Sequence, residues 1–335
     1  MRRSLFCTVG ALLLAAAASA PAADPVRLIF DTDMGNDVDD ALALALIHAC
    51  ESRGEAQLLA VTVTKDNKYA APFVDLVNTF YGRPSIPVGM VKNGKTPGDS
   101  PMIRVPAERR TASGAYVYPH RLTDGTMAPD AVGVLRRTLA AAPDGSVVIV
   151  QVGFSTNLAR LLESPADDAS PLTGAALAAR KVRLLSVMAG HFPEGKPEYN
   201  VMTDIPSARK VFGEWPSPIV FSGYEIGAAL LFPAKAIEHD FSWVADHPVA
   251  EAYRNYMHMP YDRPTWDLTA VLYAVRGDRG YFGLSPEGQV TVDDKGQTHY
   301  AAGVGTRRYL ILEEGQKPRT LEALVLLASQ PRDTR

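Results

Sequence analysis

The chain of 335 residues is 47% hydrophobic and 21% charged, a globular composition with enough length to bury a large core, which excludes disorder over most of it. Its formal net charge of -3 offers no basic field of the kind that a phosphate backbone or an anionic membrane attracts, so nucleic acid is not expected as a partner.

At the start of the chain, Arg2 and Arg3 precede a short apolar run over residues 5–18. Small residues follow at Ser19, Ala20, Ala22 and Ala23, the pattern of a removable export signal. Cleavage after Ala22 is expected, leaving residues 23–335 as a mature chain in the periplasm or outside the cell. The apolar run is shorter than the roughly 20 residues a spanning helix needs, so no membrane contact is expected once the signal is gone. Its removal takes Cys7 away. The remaining Cys50 can form no internal disulfide, and its alanine- and leucine-rich surroundings predict a buried thiol.

Apolar, β-branched runs bounded by turn residues predict strands over 26–30, 58–63, 147–152, 182–187 and 218–221. Between them, apolar residues at three- and four-residue intervals predict helices over 39–49, 71–81, 129–142 and 156–162. Strand followed by helix, repeated, predicts a single α/β domain built on an open, mostly parallel sheet with helices on both faces. Residues 94–119, rich in Pro, Gly and Arg, read as a long surface excursion. Residues 289–314 alternate like a C-terminal hairpin that turns at Asp293, Asp294 and Gly296.

The most informative segment is VRLIFDTDMGNDVDDALALAL, residues 26–46. It sets Asp31, Asp33, Asp37, Asp39 and Asp40 at the carboxyl end of a strand and the start of a helix, where open α/β sheets place their ligand sites. Helix capping accounts for Asp37 or Asp39, because a carboxylate accepts from free N–H groups at a helix start. It does not account for all five. Crowded carboxylates repel one another unless a cation or protons relieve them. Oxygen ligands without Cys or His favour Ca²⁺ or Mg²⁺ over zinc. An EF-hand is excluded, since no Glu stands at the twelfth position from Asp31 or Asp33. A haloacid dehalogenase-like phosphatase also opens with D-x-D after a strand, but its usual Thr or Val two places on is Gly35 here, which makes that the weaker alternative.

DTDMGNDVDDALAL resembles the amino-terminal signature of the inosine-uridine preferring nucleoside hydrolases, D-T-D-P-G-x-D-D-A-x-A-L, with two extra residues between its acidic groups. The resemblance implies that family's fold, Ca²⁺ as cofactor and an N-ribohydrolase acting on a small-molecule nucleoside. It implies Asp39 as catalytic base, with Asp33 and Asp40 as metal ligands. VGFSTNL at 152–158 resembles G-P-L-T-N-L and implies the Thr156 carbonyl as a further ligand, a helix cap being its ordinary role. LLSVMAG at 184–190 and PEYN at 197–200 resemble M-G-G and A-E-F-N, which implies that Met188, Glu198 and Asn200 face the ribose. The loop between them is shorter than the family's and lacks its ribose-binding Asn.

TWDLTAVLYAV at 265–275 resembles H-D-P-x-A-V and makes Asp267 the third carboxylate ligand, with Trp266 where many members carry a His beside the leaving base. An indole stacks on a base but cannot protonate it as an imidazolium does. Leaving-group contacts are therefore expected from Tyr256, His258 and Tyr261 in EAYRNYMHMPY, residues 251–261, or from His191. Asn67, in TKDN after the second strand, is expected to touch the ribose, and homo-oligomers are expected from the resemblance.

The implied reaction is hydrolysis of an N-glycosidic bond to ribose and free base, with calcium holding the ribose hydroxyls and a water whose proton passes to Asp39. The rival from another class is an exported nucleoside- or ribose-binding protein of the same fold that has lost leaving-group chemistry. Retention of Asp39, needed for attack rather than sugar affinity, favours the enzyme.

Overall fold

The computed structural model describes residues 24–193 and 195–332, and the expected export signal over 1–22 lies outside them. The five expected strands form as β1 (Val26–Thr32), β2 (Ala56–Lys65), β4 (Val147–Gln151), β5 (Val182–Met188) and β6 (Ile219–Ser222), joined by an additional β3 (Val88–Lys95). All pair in parallel, in the order β3-β2-β1-β4-β5-β6. Their apolar runs are buried because helices cover both faces. Successive side chains serve opposite layers: Phe30 joins a core with Phe73 and Leu272, while Ile29 joins another with Phe212 and Trp215.

Two short strands, β7 (Leu231–Phe232) and β8 (Arg263–Pro264), pair antiparallel apart from the main sheet. The C-terminal hairpin forms as β10 (Gly288–Val292) and β11 (Thr298–Ala302), closing where the Asp293 carboxylate accepts the Lys295 and Gln297 N–H groups. It is not an appendage. The following strand, β12 (Arg307–Ile311), pairs in parallel with β6 and antiparallel with β10 and with β9 (Gly283–Leu284), so the hairpin extends the main sheet.

The expected helices form over Asp39–Ser52, Ala70–Phe80, Ala131–Ala141 and Thr156–Glu163. The first is buried nearly all round, because it packs against helices Trp266–Arg276 and Lys317–Ala328 as well as the sheet. Cys50 near its end is a buried free thiol, and burial pushes its pKa up to about 12. Residues 94–119 depart from the expected excursion. They contain helix Pro101–Glu108, which buries Met102 and Ile103 and packs against helices Pro248–Tyr256 and Ala70–Phe80. Pro101 stands at the first helical position, where the missing N–H costs nothing.

Neighbours reverse direction of travel around β1: the chain runs on to β2 and β3 on one side, then returns to β4, β5 and β6 on the other. The crevice at the carboxyl ends of β1 and β4 therefore lies at a switch point of the sheet. It is closed from below by a tight approach. The N–H of Val152 donates to the Asp31 carbonyl at 2.7 Å, and a Cβ on Gly153 would stand 2.5 Å from the backbone nitrogen of Asp33. Only glycine fits there without moving the acidic turn. Gly153→Ala is expected to lower the unfolding free energy in urea by about 1–3 kcal/mol, the usual cost of overpacking. Gly213→Ala, on a helix where the added Cβ meets nothing within 4 Å, is the control and should be neutral or slightly stabilising.

Candidate functional site

Two helix starts face each other across the crevice. Asp39 and Asp40 occupy the first turn of helix Asp39–Ser52, and Asp267 occupies the first turn of helix Trp266–Arg276. Oxygen atoms of these three buried carboxylates lie within 4.8 Å of one another. The backbone N–H of Asp267 donates to the Asp39 carboxylate at 3.0 Å, and the Thr32 hydroxyl makes a short hydrogen bond to Asp40. The second Asp40 oxygen is buried with no partner. Burial above all, then the repulsion of Asp33 and Asp39 on Asp40 and of Asp39 and Asp40 on Asp267, raises these carboxyls well above the usual carboxylate range. Asp39 is raised in the same way, by burial first and then by Asp37. Positive charge placed at the cluster opposes both effects. An all-oxygen set with an unpartnered oxygen fits a hard divalent cation.

Around the cluster opens a cleft of about 410 Å³, lined by nine of the expected site residues: Asp33, Asp39, Asp40, Met188, Glu198, Asn200, Tyr256, Trp266 and Asp267. Asp33 lies beside the three-carboxylate cluster rather than within it. Its carboxylate accepts from the Asn36 amide at 2.7 Å, and burial pushes its pKa up to about 6. Glu198 caps the short helix Tyr199–Thr203 and accepts N–H groups from Gly190, Asn200 and Val201. Burial carries its pKa to about 7 against the pull of those bonds. The Asn200 amide spans the ends of β4 and β5, donating to the Val152 and Met188 carbonyls. Trp266 is fixed by its indole N–H, which donates to the Tyr224 carbonyl at 2.9 Å.

The remaining expected residues fall outside the cleft lining. Thr156 begins helix Thr156–Glu163 and donates its hydroxyl to Asp204 at 2.5 Å, while Val152 forms the cleft wall on that side. Asn67 spends its amide on the Pro97 and Gly98 carbonyls and its oxygen on the Tyr69 N–H, which ties down a loop instead of facing a sugar. Tyr261 stacks on Tyr253 and donates to its carbonyl, so its hydroxyl serves packing. His258 is exposed, and His191, its ring 5.8 Å from that of Tyr224, does not line the cleft. Asp31 is wholly buried and accepts from Thr62 and Asn157 beneath the cleft floor, which leaves the phosphatase alternative without an accessible acceptor carboxylate.

Sequence reasoning missed Asn36, Tyr199, Tyr224 and Arg263 as cleft residues. Arg263 had a signal: Asp37, the extra acid of the expanded turn, needs a counter-charge. It finds one there, accepting Nε at 2.9 Å and forming a short contact with Nη2.

The model of the inosine-uridine preferring nucleoside hydrolases matches residues 28–326. A search of curated proteins finds no match. Among solved structures, an inosine-uridine preferring nucleoside hydrolase from Bacillus anthracis superimposes with a TM-score of 0.68 at 18% identity, over 91% of this chain and 99% of that one. A purine-preferring ribonucleoside hydrolase from Gardnerella vaginalis gives 0.64 at 18%, covering 90% and 98%. The type III effector protein XopQ, complexed with adenosine diphosphate ribose, gives 0.65 at 17%, covering 92% and 94%. At such identities the likenesses speak for the fold, and membership rests on the match along nearly the whole chain: this protein belongs to the inosine-uridine preferring nucleoside hydrolase family and is a hydrolase acting on N-glycosyl compounds.

Proposed function

We propose that this hydrolase cleaves the N-glycosidic bond of a ribonucleoside in a Ca²⁺-dependent reaction outside the cytoplasm, with Asp39 as the base. The observation that carries the reading is the arrival of Asp267, from far along the chain, within 4.8 Å of Asp39 and Asp40 in the floor of the cleft. Asp40 and Asp267, with Asp33 beside them, would hold the ion. Bound calcium would supply the positive charge that gathers a ribose diol and acidifies a water.

The chain's own groups account for the rest. Asp39, held in place by the Asp267 N–H, takes a proton from the attacking water. The surrounding carboxylates stabilise the positive charge that develops on the sugar as the C1′–N bond breaks, as in other glycoside hydrolyses. Met188, Glu198 and Asn200 form the wall expected to receive the ribose, and the aromatic faces of Trp266 and Tyr224 receive a planar base. The export pattern over residues 1–22 supports action in the periplasm or medium. The ADP-ribose in the XopQ complex makes other N-ribosides worth including as substrates.

Calcium is expected to raise the melting temperature of the chelator-treated protein, as any ligand of the folded state alone does, and to restore release of reducing sugar from a panel of purine and pyrimidine nucleosides. No thermal shift with Ca²⁺ would remove the ion, and no sugar release from any N-riboside would leave a binding protein. Asp39→Asn is expected to lower kcat by about 10²–10⁴-fold, the range for loss of a general base, while calorimetric Ca²⁺ affinity falls much less than in Asp267→Asn. Equal losses of affinity in the two variants would make Asp39 a ligand.

A further inference from the structure

Among the described residues that line the cleft, Arg263 is the only cation. Its backbone is held in β8 opposite Phe232, and its side chain is held from three directions. Asp37 grips Nε and Nη2, the Tyr256 hydroxyl accepts from Nη2 at 3.0 Å, and the guanidinium carbon stands 5.0 Å from the Tyr256 ring centre and 5.2 Å from that of Trp266. Nη1, with two N–H groups, makes no hydrogen bond among the described residues.

The groups expected to protonate a leaving base are spent or remote. Tyr261 donates to the Tyr253 carbonyl, and neither His258 nor His191 lines the cleft. Tyr256 does line it, but burial and Asp37 raise its phenol, which makes it a reluctant acid. A base stacked on Trp266 and Tyr224 thus has a rigid guanidinium at hand, with its Nη1 uncommitted.

Resting on the ribohydrolase reading above, we propose that Arg263 is the leaving-group catalyst: its Nη1 N–H groups bind the departing base and take up its negative charge, with Asp37 as the residue that positions the guanidinium. The water oxygen bonds to C1′, one water proton goes to Asp39, and the C1′–N electron pair leaves with the base. The base departs as an anion hydrogen-bonded to Arg263 and is protonated by solvent, so Arg263 itself transfers no proton. The two residues that lengthen the acidic turn acquire a purpose, since Asp37 is one of them.

The test compares inosine and uridine with p-nitrophenyl β-D-ribofuranoside, whose leaving group is stable as an anion unaided. Arg263→Ala is expected to lose on the order of 10²–10³-fold in kcat on the nucleosides, the range for removal of one oriented donor, with a far smaller loss on the aryl riboside. Asp37→Asn should show the same selectivity in weaker form, because the guanidinium remains but is less well held. Arg263→Lys, which keeps the charge without the planar fork, should fall between and serves if the alanine variant does not fold. Retained melting shift with Ca²⁺ checks each variant's metal site. Equal losses on both kinds of substrate would overturn the proposal while sparing the ribohydrolase reading. A wild-type enzyme inert towards all of them would overturn that reading and this one with it.

Discussion

Everything at the cleft depends on holding like charges together. Asp39, Asp40 and Asp267 are buried within a few ångströms of one another, an arrangement that Coulomb repulsion and lost hydration both oppose. The fold offsets part of that cost before any cation arrives. Two helices begin at the cluster, so the positive ends of both macrodipoles meet the carboxylates, and one free N–H, that of Asp267, binds Asp39 directly. The remainder is the driving force for taking up a cation. A site that is costly when empty of positive charge is one that binds it well.

The expanded turn after β1 adds a second tier of compensation. Gly35, at φ 109°, lets the chain reverse after Asp33 while leaving room for Ile103. Asn36 then bridges two charges: its amide donates to Asp33 while its oxygen accepts from the buried Lys65 ammonium at 2.8 Å, itself anchored on the Thr96 carbonyl. Asp37 turns the other way, to Arg263. The turn thus meets a positive group on either side of the acidic floor, and the two differ in consequence. Lys65 is tied to its loop, whereas Arg263 faces the space a substrate would occupy.

Two residues carried the right chemistry at the right point in the chain and are used for something else. Asn67 follows β2 as expected, yet its amide fastens the Pro97–Gly98 turn, because the loop after β3 folds over it. Tyr261 is near the cleft in sequence but is drawn into a stack with Tyr253. In each instance the competing partner comes from another part of the chain or from the partner face of a helix, which no local pattern records. Helix Pro101–Glu108 was hidden for a different reason, since two prolines in eight residues read as a loop until burial against neighbouring helices outweighs them.

What the sequence determined alone was the alternation of strand and helix, the acidic turn at a strand end and the order of the family's motifs, because periodicity and spacing are properties of neighbouring residues. From these the parallel sheet, the layers on both its faces and most of the cleft lining were legible. Only the tertiary structure decided which carboxylates converge, with Asp39 inside the cluster and Asp33 beside it, and which cation stands across from them. The pairing of Asp37 with Arg263 joins residues 226 apart in the chain, and a contact of that kind is set by tertiary packing that no local pattern records.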